Sequence, residues 1–254
     1  MRIEHLYRYP VKGLTAEALE EVHLDPGECL PHDRRFALVQ GDAPFDPAAP
    51  TWLHKSNFAC LMANARLALL HAAFDPRAEV LAIRPPEGPA LLAETRTEPG
   101  RARIAAFLTG WLGPEARGEP RFLEVPGHSF CDQKGKVVSL LNLASLHALE
   151  QAAGRRLDPL RFRANVYFSG APAWAEHGWV GQEVQLGRTR LRVTKRTVRC
   201  PATEVNPETG ERDADPVAWL KRHFGHADLG VHAVVLEGGT IAAGDALEPL
   251  GEGE

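Results

Sequence analysis

Short extended segments, each closed by turn-forming residues, recur along most of this chain and limit what it can build. Few stretches are long enough for helices, so the pattern fits a barrel or curled sheet better than an alternating βαβ layer. Ile3 to Tyr9 reads as a strand broken at Pro10 to Gly13. Glu20 to Leu24 reads as another, closed by the turn Asp25-Pro26-Gly27, and Arg35 to Gln40 as a third. The Pro-rich run GDAPFDPAAP at 41–50 has no periodicity and is expected to be a surface loop. Strands are expected again at Ala65 to Leu70 and Glu79 to Ile83. Residues 84–101, rich in Pro, Glu, Gly and Arg, form the best boundary candidate. They divide the chain into a smaller β-rich domain over 1–95 and a second domain over 96–254.

The second part carries the clearer helices. A short one is expected at Arg103 to Leu112 and another at Pro216 to Phe224, which has proline in its first turn. Ser139 to Ala153 is read as a helix capped by Ser139, with Leu140, Leu143, Leu146 and Leu149 near helical spacing and Gly154 as its stop. Glu183 to Leu186 and Leu191 to Val198 flank a Gly187-Arg188-Thr189 turn like a hairpin, and Val231 to Leu236 and Ala246 to Leu250 add strands. The expected fold class is α+β, a β-barrel-like domain preceded by a smaller β-rich one.

Composition narrows the function. The 29 basic and 33 acidic side chains leave a net charge of -4, which gives no field favouring nucleic acid or an anionic membrane. No apolar run approaches the roughly 18 residues of a membrane span, and Met1 opens onto strand-like sequence, so a cytoplasmic location is expected. The four cysteines, Cys29, Cys60, Cys131 and Cys200, are dispersed without a CxxC, which argues against a disulfide scaffold or a zinc knot. His223, His226 and His232 bracket Asp228 at a spacing that zinc accepts, but the chain's 11 histidines are scattered and no cysteine pair accompanies these. There is no GxGxxG after a strand, no Walker loop and no GxSxG. Nucleotide binding and serine hydrolysis are unsupported.

The informative segment is Arg199-Cys200-Pro201-Ala202-Thr203-Glu204-Val205-Asn206-Pro207-Glu208-Thr209-Gly210. Cys200 stands where an alternating strand gives way to a loop, and Pro201 holds it extended. Arg196 and Arg199 favour the thiolate, the form that binds soft metals or attacks electrophiles. A partly buried cysteine acting as a small hydrophobe is the competing reading.

Taken with the upstream Y-P-V-K-G of 9–13, D-R-R-F of 33–36 and R-F-R-A-N of 161–165, this segment resembles the MOSC-domain proteins that carry an amino-terminal β-barrel domain, a family that includes amidoxime-reducing molybdenum enzymes. The resemblance implies a molybdenum cofactor (Mo-molybdopterin) held by Cys200 as protein ligand. Lys12, Gly13 and Arg34 would anchor its phosphate. Asn142, Ser145, Arg163, Asn165 and Arg199 would orient the pterin, and Arg161, Arg163 and Asn165, alternating on an extended segment, would share one face. Gly13 stands where the family often has Ser, Ala164 where proline is usual, and Asn206 where many relatives have Asp. Glu176 and Trp179 match an E-x-x-W element, with the tryptophan packing and the carboxylate fixing a neighbouring arginine.

The implied activity is reduction of N-oxygenated or similar small substrates, independent of pyridoxal phosphate. Four dispersed cysteines cannot build an iron–sulfur relay, so a separate electron donor such as a ferredoxin or a reductase is expected. Two alternatives stand beside this reading: a cofactor or sulfur carrier using a Cys200 persulfide, and a binding module without cofactor.

Overall fold

The computed structural model describes residues 1–251. In chain order the strands are β1 (Arg2–Arg8), β2 (Glu17–Leu19), β3 (Glu21–Leu24), β4 (Phe36–Val39), β5 (His71–Asp75), β6 (Val80–Arg84) and β7 (Leu91–Glu94). Helix α1 (Glu98–Leu112) follows, then β8 (Arg121–Glu124), β9 (Val138–Asn142), α2 (Leu143–Ala153) and β10 (Val166–Ser169). The chain continues through β11 (Glu183–Leu186), β12 (Thr189–Val198), α3 (Pro216–Phe224), β13 (Asp228–Glu237), β14 (Gly239–Ala242) and β15 (Leu247–Leu250). The fold is α+β.

Eight strands form one sheet in the order β15-β11-β12-β13-β9-β10-β1-β2. It is antiparallel except for β9 and β10, which run parallel and are linked through α2, as a parallel connection requires. The sheet curls until Arg2, on β1, bridges Ala246, which precedes β15. Ile3, Leu140, Phe168, Val193 and Val231 are among the side chains that fill its concave side, each 1% exposed or less. Strands β5, β6 and β7 form a separate meander and β4 pairs with β8. Their apolar faces share a second core with Ile104, Leu108 and Leu112 of α1. That helix begins three residues past the division expected at 95/96, and it packs on β7 and β8.

Two helices keep their expected ends. Asp215 caps α3 by accepting from the Ala218 amide, and Gly154 closes α2 in the left-handed conformation. Elsewhere the structure differs from expectation. Ser139 does not cap a helix: it lies in β9, buried in mid-sheet, and Asn142 is the cap. Residues Ala65–Leu69 form a 3-10 turn rather than a strand, and the expected boundary segment contains β7 and the start of α1. Among the described residues no helix is long and apolar enough to cross a membrane.

Candidate functional site

A cavity of about 240 Å³ opens where loops of the first 62 residues meet β9, the end of β12 and the loop after α2. The charge of its lining is one-sided. Lys12, Arg34, Lys55, Arg161, Arg163 and Arg199 face it against the carboxylates of Asp33 and Asp132.

Each cation is placed by a specific local feature. Lys12 follows Val11, which bridges Phe36 at the start of β4. Its ammonium, 7% exposed, donates to the Phe130 carbonyl at 2.8 Å and to Asp132. Gly13 has φ +86°, and a Cβ there would sit 3.0 Å from the Ala59 carbonyl, so glycine is required by the close approach of two backbones. Arg34 pairs with Asp33 and donates to the Arg163 carbonyl at 2.9 Å. The guanidinium groups of Arg34 and Arg163 each lie 4.2 Å from the ring centre of buried Tyr9, whose hydroxyl burial pushes up to about 12.

Half-buried Arg163 and buried Arg199 differ from ordinary paired arginines. Arg163 donates to the Leu14 carbonyl at 2.7 Å. Arg199 donates to the carbonyls of Leu229 and Phe162. Among the described residues neither makes an ion pair with a carboxylate, and desolvation lowers both to about 10. Burial of charge without a counter-charge is expensive, and an anion in the cavity would relieve that cost. Gly230 makes room for Arg199: at φ +78° a Cβ would meet the Leu140 carbonyl at 2.4 Å and the guanidinium at 3.3 Å.

Cys200 lies just past β12, in extended conformation (φ -133°, ψ 171°) ahead of the 3-10 turn Pro201–Glu204. Its carbonyl accepts from the amide and the hydroxyl of Thr203, each at 3.0 Å. The β12–β13 register shifts between Arg196 and Val198, an irregularity of the kind that re-aims side chains near sites. Lys55 faces the thiol. Burial pulls its ammonium down, but Cys200 and Asp132 outweigh that and hold it above the usual lysine value.

Three polar atoms at this cavity are buried without a partner among the described residues: Arg161 Nε, Thr197 Oγ1 and His232 Nδ1. Burial and the neighbouring Arg199, Lys195 and Arg34 press the His232 imidazole down to about 3, so it is neutral.

The expected site residues separate into two groups. Cys200, Lys12, Gly13, Arg34, Arg163, Asn165 and Arg199 converge on the cavity, and Asn165 is held by Ser139, whose hydroxyl donates to its Oδ1 at 2.8 Å. Arg161 joins them, bound to the Glu204 carbonyl at 2.8 Å and to Asp213 at 2.5 Å. The segment is not an alternating strand: Pro159–Phe162 is a 3-10 turn and Arg163 is left-handed at φ 51°.

Asn142 and Ser145 lie elsewhere, at 0% exposure and outside the cavity lining. Asn142 caps α2 and donates to the Pro172 carbonyl at 2.8 Å and to Glu176 at 3.2 Å. Ser145 donates to Glu176 at 2.8 Å and accepts from the Trp174 amide at 2.7 Å. Glu176 therefore holds the start of α2 rather than an arginine, and burial raises its carboxyl. Trp179 packs as expected, stacked on Phe168. Asn206 organises its own turn by accepting from the Glu208 amide at 2.9 Å.

Lys55, Asp132, His232 and the thiols Cys60 and Cys131 also line the cavity, although no sequence reading placed them there. The His223, His226, His232 and Asp228 spacing makes no metal site: among the described residues no three His, Cys, Asp or Glu side chains gather to hold a metal.

A basic cleft with a thiol at its strand-end wall, cut between a curled sheet and a smaller β-rich unit, defines the protein class. The model of the MOSC N-terminal beta barrel domain matches residues 1–110, and that of the MOSC domain matches residues 127–248. The chain belongs to the MOSC-domain family, with the amino-terminal barrel domain present. It is 32% identical to mitochondrial amidoxime-reducing component 1 of Mus musculus over 125 residues, which make up 44% of this chain and 36% of that protein. The Homo sapiens protein of the same name is 30% identical over 125 residues, again 44% of this chain and 36% of that one. The match thus spans about a third of these relatives' length. The YUAD protein of Bacillus subtilis aligns over 98% of this chain and 94% of its own, with a TM-score of 0.49 and 14% identity.

Proposed function

We propose that the cleft binds a molybdenum–pterin cofactor and that the protein reduces N-oxygenated small molecules with electrons from a separate donor such as a ferredoxin or a reductase. The observation that carries this reading is the meeting of Cys200 with half-buried Arg163 and buried Arg199, which lack carboxylate partners among the described residues. A phosphorylated ligand supplies the counter-charge that Arg163 and Arg199 lack, and the unpartnered Arg161 Nε, Thr197 Oγ1 and His232 Nδ1 offer further polar contacts. Cys200 is not part of a larger set of protein metal ligands among the described residues. A metal held here must therefore bring its other donors with it, as a pterin dithiolene does. A soft thiolate suits that metal.

When bound, the cofactor supplies two-electron removal of an oxygen atom from substrate. The protein's own residues do the rest. Lys12, Arg34 and Arg163 orient the phosphate, Asn165 is fixed by Ser139 to meet the pterin, and Thr203 fixes the Cys200 turn. The relatives named as amidoxime-reducing components support the substrate class.

A second reading is favoured by one observation: Cys60, Cys131 and Cys200 line the same cleft, an arrangement compatible with sulfur transfer through a Cys200 persulfide. Protein purified from a host able to make the cofactor separates the two. Stoichiometric molybdenum and pterin, lost in Cys200→Ser, support the reductase, whereas persulfide on Cys200 without metal overturns it.

A further inference from the structure

We propose that Arg212 is the positioning residue that sets access to Cys200. Its guanidinium spans two walls of the cleft. Nη1 donates to the Pro201 carbonyl at 2.8 Å and to Glu204 at 3.1 Å, on the turn that follows Cys200. Nη2 donates to the carbonyls of Leu61 at 2.9 Å and Met62 at 2.7 Å, on the segment from the amino-terminal region that faces that turn. Leu61, Met62 and Cys200 all line the cavity, whereas Arg212 does not.

The strap itself is anchored. Val205 bridges Arg212, the Asn206 amide donates to the Glu211 carbonyl at 2.7 Å, and neighbouring Asp213 is gripped by Arg155 and Arg161. A planar fork whose two ends bind carbonyls on opposite walls fixes their separation, and a lysine cannot reproduce that geometry. The width of the opening over Cys200 is thus set by a side chain outside the cleft. The consequence for catalysis, selection of substrates by bulk, rests on the cofactor reading above; the control of access does not.

The test uses the full chain made in a host unable to synthesise the pterin, so that Cys200 is free. Alkylation at Cys200 is timed by peptide mass mapping with iodoacetamide and with a bulky fluorescein maleimide. The wild-type protein should discriminate against the bulky reagent, and Arg212→Ala should reduce that discrimination by about tenfold, the effect of losing charge-assisted hydrogen bonds. Arg212→Lys should behave like Arg212→Ala. Glu204→Gln, which keeps the carbonyl contacts, should behave like wild type. Melting temperature is measured on each variant, and the ratio of the two alkylation rates at unchanged melting temperature is the readout that a purely structural role would not move. If Arg212→Ala fails to fold, Arg212→Lys carries the comparison. An unchanged ratio in the folded Arg212 variants overturns the proposal and leaves the cofactor reading intact. A collapsed ratio supports Arg212 as the clamp, and the metal content of protein from a cofactor-competent host tests the reductase separately.

Discussion

Mild acidification should destabilise the cofactor-free protein through two buried imidazoles, and the size of the effect follows from their surroundings. His232 is 7% exposed beside Arg199 and pressed down to about 3. His177, also 7% exposed, is lowered by burial and by Arg196 to about 4. Both must stay neutral in the fold but take up protons near the ordinary value of 6.5 once unfolded. Their contribution is therefore complete above about pH 6.5 and falls as pH drops toward the folded values. Between about pH 7.5 and 5 each costs about 2 kcal/mol, since roughly 1.5 pH units below the unfolded value are weighted by about 1.36 kcal/mol per unit.

Urea denaturation at the two pH values measures this directly. His232→Leu removes one of the two titrations without losing a side-chain hydrogen bond, because Nδ1 has no partner and the Thr194 contact is to the backbone. The variant should lose about 2 kcal/mol less stability than wild type over the same interval. Glu176, whose raised carboxyl acts in the opposite direction, is common to both proteins and cancels. Equal losses in wild type and variant would mean that His232 titrates normally and that the cleft lacks the cationic field described. Inorganic phosphate, by occupying that field, should narrow the difference.

Cys200→Ser should fold normally yet purify without molybdenum, checked by elemental analysis, since a hydroxyl is a harder and less acidic ligand. Arg163→Met should lose pterin content while the cofactor-free protein keeps its stability to within about 1 kcal/mol, because relief of a half-buried charge without a carboxylate partner among the described residues offsets the lost hydrogen bond and ring contact. Ser145→Ala should show the converse, a loss of about 1 to 3 kcal/mol from stranding Glu176 and the Trp174 amide, with molybdenum retained. Gly13→Ser should lower the melting temperature rather than tighten cofactor binding, because the hydroxymethyl group enters a contact already occupied by the Ala59 carbonyl.

What the sequence disclosed depended on how local each feature is. The bounds of α3, the β11–β12 hairpin and the extended Cys200 are set by neighbours in the chain, and each is legible in the sequence. Val138–Asn142 reads as a helix start because a strand buried on both faces, here Val-Ser-Leu-Leu-Asn, shows no alternation of apolar and polar residues, and its Ser139 imitates a cap. That one shift moved Ser139 to the cleft and left Asn142 and Ser145 with Glu176. Lys55, Asp132 and Arg212 carry no local signal, since their roles arise only when distant loops meet across the cavity. The positive φ of Gly13 was likewise invisible, although a glycine in a Pro-containing turn was the clue to it.

The position of β1 has a consequence for biosynthesis. It leaves the ribosome well before β10, yet Glu4 receives a hydrogen bond from Ser169, 165 residues further along, on the strand that β1 pairs with. Strand β1 must wait, with Ile3 and Leu6 lacking this partner, until β10 has been synthesised. The meander of β5 to β7, whose pairings are local, can form much earlier. A translational pause placed before residue 166 would prolong that wait, and nascent chains stalled there should be selectively open to proteolysis at β1.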